Sequence, residues 1–113
     1  MMSTAAPLSL THERAARLQC YIQIYRRYTL SSLLPSAERN ALLRLSQAIL
    51  GKLVAVLDQK ATVVQLALTR EEMDALKAIV NGLLLLYARQ QESPERLATL
   101  SDLAALKQSL KSS

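Results

Sequence analysis

The sequence predicts an all-α domain of four helices, arranged as two antiparallel helical hairpins joined by a short extended, β-like segment at about residues 62–68. Three observations predict it. Apolar residues recur at helical spacing over four long stretches. Those stretches open on residues suited to capping a helix. The one departure, Thr62-Val-Val-Gln-Leu-Ala-Leu68, is rich in β-branched residues and alternates along an extended chain. The 113 residues are 50% hydrophobic and contain neither Phe nor Trp, as suits a helical domain built on leucine and alanine. A chain of this length buries very roughly two thirds of its unfolded surface, so no disulfide or metal staple is required. The single cysteine, Cys20, excludes an internal disulfide and suits a reducing compartment.

The first nine residues hold no basic residue ahead of their short apolar stretch, and no long hydrophobic run follows. They are therefore expected to be a flexible lead-in and not a secretory signal, leaving 10–113 as a single helical domain. The first helix is expected from about 9 or 11 to 31. Leu10, Leu18, Tyr21, Ile22, Ile24, Tyr25 and Tyr28 fall on one side, His12, Gln19, Gln23 and Arg26 fall opposite, and Cys20 is placed at the core edge. Pro35 disfavours helix in the residue before it and marks a short connection. The second helix runs to about 58 with Leu42, Leu45, Ile49, Leu53, Val56 and Leu57 as its main face and Ala37, Ala41, Ala48, Gly51 and Ala55 behind.

After the extended segment, Thr69-Arg-Glu-Glu72 has the form of a capping box, so a third helix is expected to start at Arg70 and run to about 91. It is apolar nearly all round, the pattern of a helix covered on two sides. Ser93 followed by Pro94 opens a fourth helix that reaches about 110, with a break expected at Ser101. The acids Glu71, Glu72 and Asp74, and likewise Glu95 and Asp102, are assigned to helix starts, where negative charge suits the helix dipole. The most apolar window is placed at 78–88, about 11 residues where a bilayer needs about 20. The expectation is a soluble, cytoplasmic chain with no membrane partner.

No constellation for catalysis is legible. His12 and Cys20, eight residues apart on one helix, would be separated by about 12 Å along the axis and about 80° around it, too far for a nucleophile and base. One histidine and one cysteine cannot make a metal cluster of that kind, no Glu-x-x-His motif occurs, and two scattered glycines cannot form a phosphate-cradling loop. No catalytic, metal or cofactor residue is therefore expected.

The expected function is that of a small non-enzymatic interaction or scaffold subunit that self-associates as a homodimer or joins a larger protein assembly. The extended segment has no evident partner strand in the chain, so either it runs as a single strap over the bundle with half its backbone hydrated, or two copies pair across a two-fold axis through Val64, Leu66 and Leu68. The second face of the third helix adds Ala78, Gly82, Leu85 and Leu86 to that candidate interface. The alternative is an accessory nucleic-acid-binding subunit. The formal charge is +5, and up to Val56 seven basic residues face only Glu13 and Glu38. Arg14, Arg17, Arg26, Arg27 and Arg39 are the candidate contacts to phosphate or to an acidic partner.

Overall fold

The computed structural model describes residues 7–90 and 93–111. Its architecture follows from how the extended segment satisfies its backbone. Strand β2 (Val63–Leu66) pairs antiparallel with strand β1 (Leu8–Thr11), Leu8 opposite Leu66 and Thr11 opposite Val63. The sequence Leu-Ser-Leu-Thr alternates, so Leu8 and Leu10 join Val64, Leu66 and the following Leu68 in the core while Ser9 and Thr11 face out. This corrects two expectations. Leu8 and Ser9 belong to the fold and not to a lead-in, and Val64, Leu66 and Leu68 are core residues of one chain, unavailable as a dimer interface. The rest of the expected lead-in, residues 1–6, lies outside the described residues.

Thr11 ends the strand and caps helix α1 (His12–Ile24), its hydroxyl accepting from the Arg14 N–H at 3.1 Å. The His12 N–H donates to Thr62 O at 2.8 Å, and its ring Nε2 lies 2.9 Å from Leu57 O, so the start of α1 is fastened to the segment that precedes β2. The chain then stays helical to Ser32, but as a π-helical turn (Tyr25–Thr29) and a 3-10 turn (Leu30–Ser32). Ser36 caps helix α2 (Ala37–Leu57), which buries Ile49, Leu50 and Leu53.

The expected capping box is present at the start of helix α3 (Arg70–Ala88). Glu72 is buried there, and besides accepting from the Thr69 N–H at 2.8 Å it accepts from Lys52 of α2, whose ammonium also donates to Ala67 O at 2.9 Å. Helix α4 (Pro94–Lys111) lays Leu103, Leu106 and Leu110 into the core and runs without the expected break at Ser101. The fold is thus mostly α with one small two-stranded sheet; α1 packs on α2, α2 on α3 and α3 on α4.

Two further corrections concern helix faces. The longest apolar helix is α2, whose 21 residues include an 18-residue stretch of mean hydropathy 1.4, long and apolar enough by length and composition to cross a membrane. Only 22% of that stretch is buried in the fold. Gly82 of α3 has a reason inside the chain: a Cβ there would lie 2.7 Å from Cε1 of the buried Tyr25 ring. Around Gly51 of α2, by contrast, nothing beyond its chain neighbours and the backbone of its own helix lies within 4 Å of such a Cβ.

The two glycines therefore respond oppositely to alanine. Within the single chain Gly51→Ala is expected to raise stability by about 0.5–1 kcal/mol through helix propensity. Gly82→Ala is expected to lower it by about 1–2 kcal/mol, because displacing a packed ring outweighs that gain. Urea unfolding of both variants at one protein concentration checks the pair of signs.

Candidate functional site

Arg14, Arg17 and Tyr21 follow one another at i, i+3 and i+7 along α1 and so share a stripe. Facing them is Asp102, in the middle of α4 and not at its start. Its carboxylate accepts from Arg17 Nε at 2.8 Å, from the Tyr21 hydroxyl at 2.7 Å and from Arg14 Nε at 3.3 Å, with a second Arg17 contact at 3.3 Å. Glu13 adds an ion pair to Arg17 at 3.0 Å. Burial pushes the Asp102 carboxyl up, but the hydrogen bonds from Arg17 and Tyr21 and the charges of Arg17 and Arg14 outweigh it, leaving the group below its ordinary value. Burial, then the bond to Asp102, pushes the Tyr21 phenol up to about 12. The hydrogen bond to Asp102 is also the main cause that raises Arg17.

An open depression of about 520 Å³ lies over this cluster, lined on the α4 side by Ala98, Thr99, Ser101 and Ala105. Its chemistry is that of a latch. The carboxylate is occupied by three donors and the phenol is held neutral, so the arrangement ties α4 to α1 and offers neither a base nor a nucleophile of matched pKa. A second groove of about 500 Å³ runs between α1 and α2. Gln19, Gln23, Arg26 and Arg27 form one wall, and Leu43, Gln47, Leu50, Gly51 and Val54 form the other wall and the floor. Arg26 donates to Gln47 across it.

The structure does not gather the five candidate arginines into one surface. Arg14 and Arg17 are engaged by Asp102. Arg26 and Arg27 lie by the groove, and Arg39 donates to Leu30 O at 2.9 Å and to Asn40 Oδ1 at 3.5 Å. Of the expected third-helix face, Ala78 and Leu85 are exposed, while Gly82 and Leu86 are half-buried. Cys20 is exposed and not at the core edge. Among the described residues, no group of three or more His, Cys, Asp or Glu is placed to hold a metal ion. The role of Asp102 was missed because its partners lie more than eighty positions away; the one local sign was an acid standing in mid-helix.

No protein-family model, no curated protein and no solved structure matches this chain.

Two paired carboxyls, the half-buried Asp102 and the buried Glu72, sit below their ordinary values in the folded chain. For Glu72 burial alone would raise the value, and the bonds from Lys52 and Thr69 outweigh it. Their contribution to stability is therefore complete above the ordinary carboxylate pKa of about 4 and is lost as pH falls through the lower folded values. Asp102→Asn is expected to cost about 1–3 kcal/mol at neutral pH and to flatten the acid limb of a plot of unfolding midpoint against pH. A limb as steep as that of the unaltered protein would count against the latch.

Proposed function

We propose that the protein is a non-enzymatic interaction module of the cytoplasm that self-associates as a dimer, with the outer face of α2 as its contact surface. The observation that carries this reading is the mismatch in α2 between composition and burial: a stretch of mean hydropathy 1.4 with 22% of it buried. Leu42, Leu43, Leu45, Val56 and Leu57 pack partly buried against the core, and the face of α2 left outside is made of small apolar residues and Val54. Ala48, Gly51, Val54 and Ala55 are all exposed, and three of them are small enough to let a second backbone approach closely. Two α2 helices meeting about a two-fold axis would form a closed, self-complementary contact.

The arrangement of the four helices as two antiparallel hairpins belongs to the same proposal, since it leaves one side of α2 facing away from α3 and α4. The contact expected through β2 moves to α2 because β2 is consumed by β1. Ala78 and Leu85 of α3 remain on the outside and could extend the contact. A role in binding nucleic acid is the weaker reading, because Arg14 and Arg17 are neutralised by Asp102.

Light scattering of the purified chain is expected to give close to twice its mass of 12.5 kDa. Val54→Asp, which places a charge on a residue 55% exposed in the single chain, is expected to yield a folded monomer. A single-chain mass for the unaltered protein at micromolar concentration would overturn the proposal.

A further inference from the structure

The connection between α1 and α2 lies open to solvent along its length. Every residue from Ser31 to Glu38 is exposed, and within it Leu33 and Leu34 are 47% and 86% exposed. The π-helical turn just before it divides its two tyrosines, with Tyr25 turned in against Gly82 and Tyr28 turned out at 63% exposure. Four arginines belong to the same stretch of chain, Arg26, Arg27, Arg39 and Arg44, against one acid, Glu38. Two of them are fixed beside the tip: the Arg27 guanidinium lies over the Tyr28 ring, 5.8 Å from its centre, and Arg39 donates to Leu30 O.

We propose that this tip docks peripherally on a lipid bilayer carrying anionic headgroups, with Leu33 and Leu34 entering the interface, Tyr28 at headgroup level and the arginines on the lipid phosphates and carboxylates. The apolar exposure and the charge select this occupant together. Two exposed leucines have no use on a phosphate backbone, and one face of Tyr28 is already covered by Arg27, which leaves it poorly placed to stack on bases. A bilayer interface accepts exposed leucines with guanidiniums fixed beside them, as Arg27 and Arg39 are here. The absence of a membrane partner expected from sequence rested on the lack of a spanning run, and a peripheral contact needs none.

The test is co-sedimentation of the full chain with vesicles of phosphatidylcholine alone and of phosphatidylcholine with about a third phosphatidylserine, at low and high salt. Binding to the anionic vesicles only, weakened by salt, is expected. Leu34→Asp, at a site where the fold asks nothing of the side chain, should reduce partitioning at least about tenfold, and Arg27→Ala about fivefold. The Val54→Asp monomer should still bind, which separates this proposal from the self-association above. No sedimentation with anionic vesicles at low salt would overturn it. So would equal binding by Leu34→Asp, or binding to a DNA duplex that matches the vesicles in strength and is indifferent to Leu34.

Discussion

A chain segment that lays alternate side chains into the core must find partners for its own backbone, and this requirement organises the protein. Val64, Leu66 and Leu68 pull residues 63–68 inward, where unpaired N–H and C=O groups would be costly. β1 meets the need, and in doing so it fixes where α1 begins. The strand's last residue is the cap of α1, and the first residue of that helix bonds to Thr62. At the far end of the segment, Lys52 and Glu72 perform the matching task, joining α2, the carbonyl of Ala67 and the first turn of α3. Three of the four helices thus take their position from one extended strap.

Asp102 extends the same logic to the fourth helix. The hydrophobic contacts of Leu103, Leu106 and Leu110 hold α4 against the core but are tolerant of small rotations and slides. A carboxylate gripped by two guanidiniums and a phenol is directional, so it defines how α4 lies on α1. The cost of partly burying this charge is offset only because every strong acceptor position is used.

What could be read from sequence was what is local. The capping box at Thr69 and the cap at Ser93 involve residues three apart, and helical periodicity involves neighbours on one face, so these helix starts and most inward faces were legible. Leu8-Ser-Leu-Thr was passed over because four alternating residues are too few to stand out beside a strong helical pattern that follows; the alternation was nevertheless the right sign. Gly82 looked like a small residue facing another chain, since the ring that fills its space comes from Tyr25, far away in the sequence. The Asp102 latch was hidden for the same reason, and the π-helical turn at Tyr25–Thr29 leaves no mark in composition. In each case the missing information was a contact between distant positions.

The pairing of β1 with β2 also sets a schedule. On a ribosome β1 emerges first, yet its partner follows only after about 55 further residues, which at a synthesis rate of roughly 5–20 residues per second is a wait of several seconds. During that interval α1 and α2 can meet, but Leu8 and Leu10 have no strand to shelter them. Pairing of the small sheet thus waits on the middle of the chain, whatever the speed at which α1 and α2 form.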